Sequence, residues 1–254
     1  MATNNDPKLE ILLVRCALLE RSERYAQLVP IVKDLLAHCS QTNFLNHKIR
    51  NYFSVAYKHI TGSLRSAWRS LIIEKEKYKD RDVQEFRIVE EYLREIETEL
   101  NNICDDVIDQ IDKHILSRPD DDNAMLDADS KVYFLKMQAD YFRYKAEVTT
   151  GQNFELFKNK SKNAYESAME CAKTLPSVNS LRLGLALNFS VFYYEIEKSP
   201  EKACLLAKQA FDDSIKDIDA MAEDHYKDST LIMQLLRDNL SLWSHREGNK
   251  EEMS

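Results

Sequence analysis

The chain has 254 residues, 44% of them apolar, which excludes wholesale disorder and leaves room for one large core or two modest domains. Four Gly and five Pro supply too few tight turns for an all-β fold, so an extended helical protein is expected. The net charge of −8, with a pI near 5.4, excludes a general nucleic-acid binder, which would carry a basic excess.

Met1 to Asp6 are polar and contain no apolar segment of a secretory signal, and no run of about 18 apolar residues is present to span a bilayer. The expectation is a protein of the cytosol or nucleus with no membrane association. Five cysteines, odd in number, scattered and without a C-x-x-C pair, fit reduced thiols rather than a disulfide framework.

Taken in order, Leu9 to Glu20 reads as a first helix, apolar over so much of its circumference that it needs a second surface to cover it, most simply another copy of the chain. A second helix is expected from about Tyr25 to His38, where Pro30 loses a backbone donor unless it falls in the first turn. The third begins near Leu45, runs past Trp68 to Lys77 and contains Gly62, at a cost of about 1 kcal/mol relative to Ala. It also carries Lys58, Arg65 and Arg69, separated by seven and four residues, which places them within about 40° on one helix face. Alone, this stripe reads first as a solvated basic face of an amphipathic helix and only second as a site for an anion such as phosphate.

A fourth helix from about Val83 to Leu116 has Ile88, Tyr92, Ile96, Leu100, Ile103, Val107 and Ile111 at three- and four-residue steps. Arg118 to Asn123 breaks the pattern, after which Asp127 or Asp129 is placed to cap a fifth helix. Further helices are expected at about 130–150, 153–173, 179–197, 201–217 and 222–245, with Pro200 at a first helical position after Ser199. The division expected is one helical domain, 1–245, and a flexible polar tail, 246–254. No sustained 34-residue repeat is found.

Known catalytic and metal patterns are missing from the sequence. The six histidines include no i, i+4 pair, no Cys/His spacing suits zinc, and the acidic run Asp120-Asp121-Asp122 lacks the Gly and distal Glu of a calcium loop. There is no P-loop, no G-x-S-x-G and no G-x-G-x-x-G. A non-enzymatic binding protein with no metal and no cofactor is expected.

Four segments then point to a family. They are the stretch around Val55-Ala56-Tyr57-Lys58 with Arg65 and Arg69; Asp140-Tyr141-Phe142-Arg143-Tyr144; Leu187-Asn188-Phe189-Ser190-Val191-Phe192-Tyr193-Tyr194-Glu195; and Leu235-Leu236-Arg237-Asp238-Asn239-Leu240-Ser241-Leu242-Trp243. Together they closely resemble the 14-3-3 phosphoprotein-binding adaptors, from about Glu23 to Trp243. The resemblance implies an all-α fold of nine antiparallel helices forming a concave cup, paired into a dimer with two grooves. It assigns Lys58, Arg65, Arg143 and Tyr144 to phosphate binding, supported by Arg69, and Asn188, Asn239, Glu195 and Trp243 to the main chain of a bound peptide. It places Leu187, Val191, Leu231, Ile232, Leu235 and Leu242 on an apolar groove wall, with Lys136 as a polar groove residue. The partners implied are client proteins carrying phosphoserine or phosphothreonine, and a second copy of the chain or a paralogue.

These residue types suit the task. Arginine presents a planar donor fork to phosphate, lysine a compact charge, tyrosine a neutral donor, and an asparagine amide can serve both main-chain donors and acceptors. Taken singly they have plainer readings: Leu187, Val191, Leu231 and Leu235 as core, Trp243 as a core anchor, Asn188 and Asn239 as satisfied buried amides, and Arg143 as an intrahelical partner of Asp140 or Glu147.

For the dimer, the resemblance assigns Leu18, Leu19, Arg24, Tyr92 and Glu99. Gln27 and Glu95 stand where the family commonly places an acid and a lysine, so one cross-subunit ion pair is lost. Ala67 stands where some members carry a phosphorylatable serine. The loops at about 39–47 and 117–129 are longer than the family suggests.

Overall fold

The computed structural model describes residues 6–42, 45–79, 83–116, 126–220 and 223–252, and among them it contains nine α-helices and no strand. The chain divides into two compact units, Met1–Met125 and Leu126–Ser254. Each has its own core.

In the first unit, α1 (Pro7–Arg21), α2 (Tyr25–Thr42), α3 (His47–Tyr78) and α4 (Val83–Ile111) pack in sequence, and α1 also touches α3. Asp6 caps α1 by accepting from the backbone N–H of Lys8 and Leu9, each at 3.1 Å, and binds His38 Nε2 of α2 at 2.6 Å. One carboxylate thus satisfies two orphan helix donors and ties two helices together. Asn46 caps α3 by accepting from the Ile49 N–H at 3.0 Å. Pro30 falls well inside α2 rather than in its first turn, so the carbonyl of Ala26 lacks its usual i+4 donor. The helix persists because Leu28, Val32, Leu35 and Leu36 bury a continuous apolar face, while Pro30 itself is exposed. The fourth helix matches its expected span, but its last five residues, Asp112–Leu116, form a π-helical turn.

The second unit comprises α5 (Ala128–Glu147), α6 (Gly151–Ala172), α7 (Ser180–Glu195), α8 (Pro200–Lys216), a short 3₁₀ turn (Ile218–Ala220) and α9 (Glu223–Glu252). Asp127, one of the two candidate caps, accepts from the Ser130 N–H at 2.7 Å and starts α5. Pro200 opens α8 as expected, although the Ser199 side chain makes no capping bond. α5 pairs with α6, and α7 packs against α5, α6, α8 and α9. Around Tyr165, Phe189 and Phe192, the buried residues of α5, α6 and α7 form one apolar cluster; Trp243, Leu236 and Met233 of α9 anchor a second with Leu183, Ala203 and Ala207. α9 runs on to Glu252, so the backbone of 246–252 is helical where a flexible tail was expected. The acidic run at 120–122 and most of the loop at 117–129 lie outside the described residues, as do positions 43 and 44 of the loop at 39–47.

Two glycines separate cost from need. A methyl group at Gly62 would meet nothing within 4 Å, whereas Gly151 opens α6 at φ +62°, a conformation that side chains resist. Gly62→Ala is expected to stabilise the protein by about 1 kcal/mol, raising Tm by about 2–4 °C at this chain length. Gly151→Ala is expected to lower it, and thermal melts followed by circular dichroism read both.

Candidate binding site

The cations of the third helix project from the side of α3 opposite its core. Ile49, Phe53, Ala56, Tyr57 and Leu64 are buried, and the Thr61 hydroxyl donates to the Tyr57 carbonyl at 2.8 Å. The Tyr57 hydroxyl donates to Asp106 at 2.7 Å, and Lys33 pairs with the other oxygen of that carboxylate at 2.5 Å. With that face committed, Lys58 and Arg69 stand exposed and Arg65 is half-buried. The basic stripe expected from the spacing is present in the first unit.

In the second unit, Lys136, Asp140, Arg143 and Tyr144 fall at i, i+4, i+7 and i+8 on α5 and so share a face, bordered along one edge by the buried Val132, Ala139 and Ala146. Lys136 and Arg143, with groups from α6 and α7, converge on Asp140. Lys136 Nζ reaches its Oδ2 at 2.8 Å, Arg143 donates to Oδ1 at 3.1 Å, and the Asn188 amide from α7 donates at 3.0 Å to both oxygens. The Tyr165 hydroxyl of α6 also donates to Oδ1 and itself accepts from Arg143 Nε at 3.0 Å. Arg143 is 6% exposed and its guanidinium lies 4.9 Å from the Tyr144 ring.

Burial alone would push the Asp140 carboxyl up, but Lys136 and Arg143 beside it outweigh that and hold it down at about 2. Burial likewise disfavours the Lys136 ammonium, and Asp140 more than offsets this, keeping it above the usual lysine range. These side chains carry two positive charges against one negative charge, so their face has a surplus positive charge in a partly dry setting. Such a surplus is costly unless an anion balances it.

The neighbouring helices supply the apolar part. Gly184 of α7 faces both flanking helices, since a methyl there would lie 3.8 Å from Ile232 Cδ1 of α9 and 3.9 Å from Lys136 Cε of α5. Leu187, Asn188 and Val191 follow on the same stretch of α7, each half-buried, and Glu195 is exposed at its end. On α9, Leu231, Leu235 and Leu242 are 61%, 43% and 48% exposed, so they form a solvent-facing apolar stripe rather than core; Asn239 beside them is half-buried. Ile232, Leu187 and Val191 instead pack partly against the core cluster of α9.

Three of the plainer readings also describe what is seen. Trp243 is 3% exposed and stacks on Tyr194 at 4.8 Å, an anchor of the core. Asn188 is satisfied by Asp140, and Arg143 does pair with Asp140 one turn earlier. Asp140 was legible in the sequence as an intrahelical partner of Arg143. Tyr165, on the following helix, carried no such signal.

The residues expected at a dimer contact are largely unburied in the single chain. Leu18 is 62% exposed and continues a stripe with Ile11 and Val14; Tyr92, 51% exposed, follows Ile88 on α4. Glu99 is exposed and Leu19 half-buried. Arg24 Nε donates to Gln27 Oε1 at 2.7 Å, an intrachain bond where the family would place an acid at residue 27. Among the described residues, no group of three or more His, Cys, Asp or Glu is arranged to hold a metal, and no helix is long and apolar enough to cross a membrane.

An all-α chain whose conspicuous polar feature is a buried cationic cluster beside exposed apolar rungs has the make-up of a binding protein. Comparison with known proteins gives the family. The 14-3-3 protein family pattern matches residues 15–244. The chain is 45% identical over 237 residues to a 14-3-3 protein homolog of Encephalitozoon cuniculi, covering 92% of this chain and 90% of that one. It is 47% identical over 230 residues to Protein BMH2 of Saccharomyces cerevisiae, covering 89% and 81%, and 45% identical over 244 residues to human 14-3-3 protein eta, covering 95% and 96%. The chain belongs to the 14-3-3 family.

The low value of the Asp140 carboxyl predicts an acid limb of stability. Because its folded value lies below the ordinary 3.8, the ionised group stabilises the fold fully above about pH 4, and that contribution, of order 2 kcal/mol, is lost as pH falls toward 2. The stability difference between the wild type and Asp140→Asn, measured by urea unfolding, is expected to shrink across that window.

Proposed function

We propose that this adaptor binds phosphoserine or phosphothreonine in extended segments of client proteins. Lys58, Arg65, Arg143 and Tyr144 act as the phosphate ligands and Arg69 as their support. Asn188 and Asn239 hold the peptide main chain, assisted by Glu195 and Trp243. Leu187, Val191, Leu231, Ile232, Leu235 and Leu242, with Lys136, form the wall for neighbouring side chains. The observation that carries this reading is the cluster on α5, where Lys136 and Arg143 outnumber Asp140 and leave a positive charge that a phosphate dianion would balance. Family membership supports client binding and dimer formation.

The same reading makes the functional unit a homodimer, or a heterodimer with a paralogue, using the exposed stripes Ile11, Val14 and Leu18 on α1 and Ile88 and Tyr92 on α4, with Arg24 and Glu99 at the rim. Loss of one exposed ion pair at Gln27 and Glu95 costs only about 0–1 kcal/mol, which burial of those stripes offsets. The cytosol or nucleus is the setting in which its five cysteines stay free thiols, as they are here.

Fluorescence anisotropy with a phosphoserine peptide and its serine counterpart tests the central statement. The phosphorylated form is expected to bind at least tenfold more tightly, and Arg143→Ala to remove most of that difference, because a charge-assisted pair contributes about 1.5–3 kcal/mol. Equal affinity for the two peptides would mean that the exposed leucines of α9, not the cations, drive binding. For the dimer, sedimentation at low micromolar concentration is expected to show two copies, and Leu18→Asp to give a monomer.

A further inference from the structure

Arg143 does not hold its own position. Its Nε–H is bound to the Tyr165 hydroxyl at 3.0 Å and one terminal nitrogen to Asp140 Oδ1 at 3.1 Å, so two edges of the guanidinium are taken up from beneath. The Tyr165 hydroxyl in turn donates to Asp140, closing a three-membered ring of bonds. Tyr165 is fully buried, stacked on Phe189 with ring centroids 5.0 Å apart and tilted against Phe192 at 5.8 Å, and therefore cannot swing away. Asp140 also fixes Asn188 through both carboxylate oxygens and Lys136 through one.

We propose that Tyr165 and Asp140 are the positioning residues of the phosphate site: together they aim the guanidinium of Arg143 and the amide of Asn188, and neither touches the ligand. This rests on the phosphate reading given above. A guanidinium has many rotamers, and freezing one beforehand removes an entropy cost from the binding step. The two groups divide the labour. Asp140 supplies the charge that keeps two cations tolerable side by side, and Tyr165 supplies direction, because its ring is clamped by the apolar cluster of α6 and α7.

Tyr165→Phe is the direct probe, since it removes one oxygen and leaves the ring packing intact. The affinity of the full-length protein for a phosphoserine peptide is expected to fall about tenfold, while that for the serine counterpart changes less than twofold. A purely structural role would lower both affinities alike along with Tm. In the free protein, the Arg143 Nε–H resonance is expected to shift toward the solvent-exposed arginine position and to exchange faster in the variant. Asp140→Asn separates aim from charge: simple electrostatics predicts tighter phosphopeptide binding once a negative charge is gone, whereas loss of positioning predicts weaker binding. Unchanged discrimination between the peptides and an unmoved Arg143 resonance in Tyr165→Phe would overturn the inference while leaving phosphate binding by the wild type standing. A wild type that binds both peptides equally would overturn the phosphate reading itself, and this inference with it.

Discussion

A single buried carboxylate organises the polar chemistry of the second unit. Asp140 receives a lysine, an arginine, a phenol and an amide from three different helices. Placing Lys136 and Arg143 two turns apart on one side of α5 creates mutual repulsion in a setting with little water to screen it. The carboxylate between them relieves most of this, and its own ionisation is secured by the same two cations. The cluster is satisfied internally yet keeps one charge unbalanced. Its bonds are formed without a ligand, and it still has a reason to bind an anion.

That arrangement depends on packing well away from the charges. α5 holds these charges in place because Val132, Ala139 and Ala146, along one edge of the polar face, pack in one apolar cluster with Ala164, Ala168 and Ala172 of α6, whose small side chains permit a close approach. Small residues at this contact bring Tyr165 near enough to reach Arg143 and Asp140. Replacing those alanines with larger side chains would push α6 outward and open the ring of bonds before it disturbed any residue that touches a ligand. The aromatic cluster of Tyr165, Phe189, Phe192 and Tyr193 makes α6 and α7 one body, so Asn188 of α7 and Arg143 of α5 refer to the same frame.

How much of this was legible in the sequence depended on the range of the interaction. Local signals located every helix, because apolar periodicity, the Asp127 cap and Pro200 at a first helical position are all read within a few residues. Pro30 does not interrupt α2 because the missing hydrogen bond is only one term, and burial of Leu28, Val32, Leu35 and Leu36 exceeds it. The π-helical end of α4 and the helical backbone beyond Arg246 are announced by no single motif. At the site, the cations of α3 were visible by spacing, and the family resemblance added Lys136, Arg143, Asn188 and Asn239. Tyr165 stayed hidden because its partner lies 22 positions earlier in the chain, and a lone buried tyrosine has no pattern. Trp243 shows the converse: the sequence alone allowed core or ligand contact, and its stacking on Tyr194 commits most of its surface to the core.

The exposed leucines of α9 bear on why a charged site alone would be a poor adaptor. Phosphate carries most of the charge of a modified segment but identifies nothing about the residues around it, and a surface that recognised charge alone would also hold free phosphate and nucleotides. Leu231, Leu235 and Leu242 repeat at about one and two turns along a single helix, so they offer apolar rungs to side chains on either side of a held main chain. Each rung gains only by the area it loses to water, of order 25 cal/mol per Å², which is small for one contact and cumulative over several. Asn188 and Asn239 fit between these two effects, because an amide can serve backbone groups of any sequence. In the function proposed here, strength then comes from the oxyanion, register from the amides and tolerance from the leucines. A site so divided suits clients that share a modification and little else.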